Sequence, residues 1–224
     1  MVVHPEPKER RVSRVAIIGL RGSSESNTPD LHGMGPTVDA IAQKLEDELR
    51  RREPGLEVDL RGIDYPAKTW GYFRSRDRGV RLLLEELNDL SADQTVVLIG
   101  LSQGADVIQR ASWSPELRLS PDAPAAVILL GDPTRHPEHP YQHGTSDPRA
   151  GVLAGREKGV PEDWWERTWS YCLDGDRVSA YRFGWLGLIR SGTHTHYVRN
   201  VDGVQDQAVS FALNQVLTVR SVDD

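Results

Sequence analysis

Apolar runs alternate along this chain with segments of helical period, and that alternation sets its outline. Val15-Ala16-Ile17-Ile18-Gly19-Leu20 is continuously apolar, as a strand covered on both faces would be. A loop rich in Gly, Ser, Asn and Pro follows from Arg21 to Gly35. Pro36 then opens a charged segment to Arg52 in which Val38, Ile41, Ala42, Leu45 and Leu49 recur at helical spacing. Glu53-Pro54-Gly55 stops that helix, and Leu56–Leu60 alternates as a short second strand. A loop carrying Pro66, Trp70 and Tyr72 leads to a second helix over 77–90, with Val80, Leu83, Leu84 and Leu87 on one face. A third strand at 95–100 runs straight into a helix over 103–112, and Ala125–Leu130 reads as a fourth strand. Residues 131–163 are rich in proline and predict loops. A fifth strand falls at 166–172 and a closing amphipathic helix at 204–219. Strands alternating with helices predict an α/β fold: a doubly wound, mainly parallel five-stranded sheet with helices on both faces. The loops after the strands then gather at the carboxyl edge, where open α/β sheets place their sites.

Composition narrows the class without changing that outline. With 224 residues the chain is long enough for one α/β core, assigned to 14–224 behind a polar lead-in at 1–13. Its net charge of −6 lacks the basic footprint of nucleic-acid binders, so no nucleic-acid partner is expected. The longest apolar runs are far too short to cross a bilayer, so no integral membrane segment is expected either. The first residues hold no apolar signal-peptide core, so synthesis in the cytosol without a signal is the expectation. Cys172 is the only cysteine, which excludes an internal disulfide; at the end of an apolar strand it reads as a packed thiol.

The third strand carries the chemistry. It ends in Gly100-Leu101-Ser102-Gln103-Gly104, the G-x-S-x-G pattern of a nucleophile elbow, in which a tight strand-to-helix turn lifts one serine above the sheet edge. A Cβ at either glycine would crowd the turn. The helix beyond Ser102 aims its free N–H groups at the place where an oxyanion develops. A serine hydroxyl needs a base to take its proton and an acid to orient that base. Where the order along the chain is Ser, acid, His, only His194 and His196 follow every candidate acid. Asp106 lies on the elbow helix and Asp132 follows strand four, one strand too early. Asp174 and Asp176 sit just past strand five, at the correct edge. Oxyanion donors are expected from the Gln103 amide and from the loop Arg21-Gly22-Ser23-Ser24-Glu25.

Other chemistries find less support. His136, His139 and His143 are spaced three and four apart, but Pro137 and Pro140 exclude a shared helical face and no cysteine joins them, so no metal is expected. Gly19-Leu20-Arg21-Gly22 has neither dinucleotide-fold nor P-loop spacing, so no cofactor is expected.

Four motifs together resemble the cutinase-like serine esterases: Arg21-Gly-Ser-Ser-Glu25, Gly100-Leu-Ser-Gln-Gly104, Cys172-Leu-Asp-Gly-Asp176 and His194-Thr-His-Tyr197. The resemblance implies an α/β hydrolase with Ser102 as nucleophile, Asp176 as acid and His194 as base. It also implies an oxyanion hole from Ser23 and the Gln103 amide, and an acyl-enzyme route without cofactor. Secreted cutinases carry paired disulfides, whereas Leu129-Leu-Gly-Asp-Pro-Thr-Arg135 is similar to the disulfide-free phage lysin B esterases. That branch implies a lipid ester partner, the mycolyl-arabinogalactan ester of the cell envelope. It further implies an enzyme acting as a monomer on the wall after release from the cytosol. The alternatives are a carboxylesterase for short or medium acyl esters or polyesters, and a non-catalytic module that binds envelope lipid on a hydrolase scaffold.

Overall fold

The computed structural model describes residues 14–91, 94–118, 124–181 and 192–222; the expected lead-in at 1–13 lies outside them. The strands are β1 (Arg14–Leu20), β2 (Glu57–Gly62), β3 (Gln94–Leu101), β4 (Ala126–Leu130), β5 (Gln142–Gly144) and β6 (Thr168–Cys172). They form one sheet in the order β2-β1-β3-β4-β6-β5, and every pairing is parallel. The sheet therefore has six strands rather than the expected five. The extra one, β5, is three residues long in the proline-rich stretch and has no apolar run to reveal it. It pairs only with β6, matching Gln142 to Ser170 and Gly144 to Cys172.

Among the described residues the α-helices are α1 (Pro36–Arg52), α2 (Tyr72–Asn88), α3 (Gln103–Ala111), a single turn α4 (Pro115–Arg118) and α5 (Val204–Val222). Alternate strand residues feed two separate cores. Val15, Ile17, Val97, Ile99 and Ile128 pack with Val38, Ile41, Leu45 and Leu49 of α1 and with Ala208, Ala212 and Val216 of α5. Ile18, Leu20, Val96, Leu98 and Leu129 pack with Leu83 of α2 and Ala105, Ile108 and Ala111 of α3. Both faces are thus covered, which is why the central strands read as unbroken apolar runs.

α2 begins at Tyr72, several residues before the expected start at 77. Its first turn carries Ser75 and Arg76, which are buried but polar, so it adds nothing to an apolar period. From β1 the chain moves outward to β2, then crosses back past β1 to β3. The connections leave β1 and β3 in opposite directions, and that reversal opens a crevice at the carboxyl ends of these two strands. Leu20 and Ser102 stand at that crevice.

Candidate active site

Ser102 sits in the turn between β3 and α3 with φ 52° and ψ −113°, a strained conformation for a residue with a side chain. The two elbow glycines make the turn possible. A Cβ on Gly100 would lie 2.7 Å from the backbone of Gly104 and Ala105, and one on Gly104 would lie 2.1 Å from the Leu20 carbonyl oxygen. The Ser102 N–H donates to the Leu130 carbonyl at 2.8 Å, tying the elbow to the end of β4. The first bond inside α3 runs from the Asp106 N–H to the Ser102 carbonyl at 3.2 Å. The Gln103 N–H, at the start of that helix, thus precedes its hydrogen-bonded ladder.

The imidazole of His194 bridges serine and acid. Its Nε2 is 2.9 Å from Ser102 Oγ, and its Nδ1 is 2.9 Å from Asp176 Oδ2 and 3.0 Å from Oδ1. His194 belongs to a 3-10 turn, Gly192–Arg199, anchored by fully buried Tyr197. The Tyr197 hydroxyl donates to Asp176 Oδ2 at 2.8 Å and accepts the Leu173 N–H at 3.1 Å. Asp176 is itself fully buried, and its Oδ1 accepts the N–H groups of Val178 at 2.9 Å and Ser179 at 3.4 Å. Burial alone would raise this carboxyl. The hydrogen bond and charge of His194, with the bonds from Val178 and Tyr197, outweigh it and hold the group below the ordinary aspartate value.

Of the alternatives left open by spacing, Asp174 lies exposed and accepts the Thr145 hydroxyl, and His196 takes no part in this chain of bonds. Gly131, directly after β4, has φ 54°, and a Cβ there would come 2.9 Å from both the His194 and Tyr197 rings. That close approach is invisible in the sequence until the fold stacks β4 beside the histidine turn.

The loop after β1 is held rigid beside the elbow. Half-buried Glu25 accepts the Gly22 N–H at 2.6 Å and the Thr37 hydroxyl at 3.2 Å, and the Ser24 N–H donates to the Ala67 carbonyl at 2.8 Å. Ser23 is half-buried between these two anchors. The Gln103 side chain is fully buried: its amide donates to the carbonyls of Lys68 and Tyr72, and its oxygen accepts the Ser75 hydroxyl at 2.9 Å. Sequence reasoning used only the Gln103 backbone; its side chain fastens the β2–α2 loop to the nucleophile turn.

Asp106, within α3, and Asp132, after β4, are both buried and bond to the scaffold. Asp132 accepts the backbone and hydroxyl of Thr134 and the Gln109 amide, and burial pushes it up to about 6. Asp106 accepts the Tyr72 hydroxyl at 2.8 Å, and burial pushes it up to about 7 against the pull of Tyr72 and Arg76. A folded-state value raised above the ordinary 3.8 means the native chain holds that proton more tightly than the unfolded chain does. Stability contributed by Asp106 should therefore fall as pH rises from about 4 to about 7. Asp106→Asn is expected to flatten part of that decline, measured as denaturation midpoints across the window; unchanged slopes would remove Asp106 as its source.

Cys172 is buried, and its Sγ accepts the Ser179 hydroxyl at 3.0 Å across the loop that carries Asp176. Ser179→Cys is expected to close a disulfide with Cys172 under mild oxidation. A loop this short gives about 2–3 kcal/mol by the chain-entropy relation, or roughly 5–10 °C in a domain of this size. Intact-mass loss of two hydrogens and a reductant-sensitive melting point check it; two persistent free thiols would contradict the expected closure.

The sheet, the elbow and the serine–histidine–aspartate line at the carboxyl edge define an α/β hydrolase. The chain belongs to the cutinase family, whose model matches residues 12–216. Solved structures with the same fold include a cutinase-like protein from Cryptococcus sp., 21% identical with TM-score 0.70, covering 91% of this chain and 94% of that one. The catalytic core domain of acetyl xylan esterase from Trichoderma reesei is 22% identical with TM-score 0.67, over 90% of this chain and 98% of that one. Lysin B from Mycobacteriophage D29 is 20% identical with TM-score 0.52, over 88% and 89% respectively. No curated protein matches the sequence.

Proposed function

We propose that this chain is a serine esterase that works through an acyl-enzyme. The observation that carries the reading is the unbroken line from Ser102 Oγ through His194 to Asp176, with 2.9 Å on each side of the ring. Ser102 Oγ attacks the ester carbonyl as its proton passes to His194 Nε2. The tetrahedral oxyanion is met by the Gln103 N–H and by Ser23. Collapse breaks the ester C–O bond, and His194 hands its proton to the departing alcohol oxygen. A water then gives its proton to the same nitrogen and attacks the acyl carbon, releasing the acid and restoring the Ser102 hydroxyl. Asp176 stays ionised throughout and holds the imidazolium.

The substrate we propose is a long-chain lipid ester, the mycolyl-arabinogalactan ester of the cell envelope, cleaved by a monomer acting outside the cytosol that makes it. Two features support a substrate presented at an apolar surface. Trp70 is 95% exposed, and it lies on the loop whose Lys68 and Tyr72 carbonyls are bound by Gln103, next to the nucleophile. Exposed Lys68 and Arg74 flank it. Among the described residues no helix is long and apolar enough to cross a membrane, so a surface contact would fall to side chains such as these. Trp70→Ala is expected to leave p-nitrophenyl butyrate hydrolysis within about twofold while slowing attack on dispersed long-chain esters about 10- to 100-fold, the value of burying one large apolar side chain. Equal losses on both substrates would contradict a surface role.

A second reading, a carboxylesterase for short or medium acyl esters, is favoured by the short segment 177–193 between acid and base, similar to ordinary cutinases. Mass spectrometry of lipids released from intact mycolylated cell wall separates the two. Free mycolate supports the first, and butyrate release without mycolate supports the second. A fluorophosphonate probe that fails to label Ser102 would instead favour a binding module.

A further inference from the structure

Away from the serine–histidine–aspartate line, the loop after β4 folds into a turn that gathers His136, Glu138 and His139. The His139 N–H donates to the His136 carbonyl at 3.1 Å and the Gln142 N–H to the His139 carbonyl at 3.2 Å. Pro137 and Pro140 forbid the helix that would ordinarily place two histidines together, yet this turn stacks the two rings with centroids 4.9 Å apart. One ligand atom from each of the three residues lies within 4.8 Å of the others.

The outer hydrogen bonds of both rings are already made. His136 Nε2 is 2.7 Å from the Glu157 carbonyl oxygen. A carbonyl can only accept, so Nε2 carries the hydrogen and a neutral ring turns its lone pair out through Nδ1. That lone pair faces Glu138 Oε1 at 3.3 Å. Two acceptors at this separation leave room for a cation held between them. His139 Nδ1 is 2.8 Å from the Tyr141 hydroxyl, leaving Nε2 open. The His139 ring is backed by Trp165 at 5.5 Å and by Gly159, where a Cβ would come within 2.7 Å of it. Glu157, which supplies the outer partner of His136, is itself held by Arg76 at 2.9 Å and Arg110 at 3.2 Å. Metal-binding imidazoles are oriented in this manner, through the nitrogen that does not touch the metal.

We propose that His136 Nδ1, His139 Nε2 and the Glu138 carboxylate bind one divalent transition-metal ion. Two imidazoles and one carboxylate suit Zn²⁺, Ni²⁺ or Cu²⁺ and disfavour Mg²⁺ and Ca²⁺. Bonds of about 2.0–2.2 Å require the three donors to close inward, and the exposed Glu138 side chain is free to swing. Water fills the remaining positions. The ion would pin the β4 loop near the segment around Glu157. None of the three residues hydrogen-bonds Ser102, Asp176 or His194 among the described residues, so the role is to stiffen the fold and not to perform the hydrolysis.

The test is titration calorimetry of the full chain, tag-free and stripped with chelator, with zinc or nickel chloride, alongside melting curves. To set aside the imidazole at 194, all variants carry His194→Ala. One equivalent should bind and raise the melting temperature, while magnesium does neither. His136→Gln and His139→Gln should each weaken binding at least about 10-fold. Glu138→Gln, at an exposed position, should weaken it with the apo melting temperature unchanged, which separates lost ligation from lost folding. Absence of binding at about 0.1 mM metal, a regime of only some 5 kcal/mol, would overturn the proposal. So would undiminished affinity in the Glu138→Gln protein or in a protein carrying both His136→Gln and His139→Gln.

Discussion

Replacing Ser102 by alanine is expected to lower the rate of p-nitrophenyl butyrate hydrolysis by at least about 10³-fold, and up to about 10⁶-fold if the serine supplies the whole covalent route. The variant loses the hydroxyl oxygen that lies 2.9 Å from His194 Nε2. Its fold should survive, because Ser102 contributes to the scaffold through its backbone: the N–H to Leu130 and the carbonyl to Asp106. A small alanine can occupy the same strained turn at little further cost. Rates equal to the unsubstituted protein would show that another group attacks the ester. Some residual rate is expected, since the Gln103 amide and the bound geometry remain.

The second large effect is Asp176→Asn, which keeps size and removes charge. A neutral amide in that position can donate to His194 Nδ1, so the ring would be held with its hydrogen on Nε2, the nitrogen that must accept from Ser102. A loss of about 10³- to 10⁴-fold in kcat is expected on that ground. KM for a small ester should change little, because Asp176 is fully buried and meets no substrate. The split between kcat and KM is the diagnostic reading, and a loss confined to KM would contradict the orienting role. Tyr197→Phe offers the contrast: it deletes one of the bonds to Asp176 while leaving the histidine, the charge and the Val178 bond in place.

What the sequence made legible follows from where physics leaves a linear trace. α1 was readable because Val38, Ile41, Ala42, Leu45 and Leu49 all face one core, and each is fully buried. The elbow was readable because its five-residue pattern is local: Gly100 is demanded by the backbone of Gly104 and Ala105, while Gly104 answers to the Leu20 carbonyl on the neighbouring strand. β5 left no trace, since Gln142, His143 and Gly144 pair at the sheet margin over three residues with no apolar run, and the stacking of His143 on Trp169 arises only on folding. Asp174 and Asp176 could not be told apart by spacing; burial and the Tyr197 bond distinguish them, and Tyr197 lies far along the chain. The side-chain role of Gln103 and the close approach of Gly131 to His194 depend on neighbours brought together only by folding. The meeting of His136 with His139 was hidden for a different cause. Helical periodicity is the usual guide to such pairs, and two prolines replaced the helix with a turn.

The parallel ladder has a consequence for how damage would show itself. Leu101 stands opposite Leu130, and Leu130 opposite Tyr171, so Ser102, just past β3, and Asp176, beyond the end of β6, flank the tip of β4, where Gly131 backs the His194 ring. Sliding β6 by a single position would carry its end about 3.3 Å and reverse every side chain to the other face. Asp176 would then leave the imidazole altogether while the cores kept most of their apolar cover. Turnover is thus a sensitive gauge of alignment in the middle of the molecule, finer than compactness or helix content.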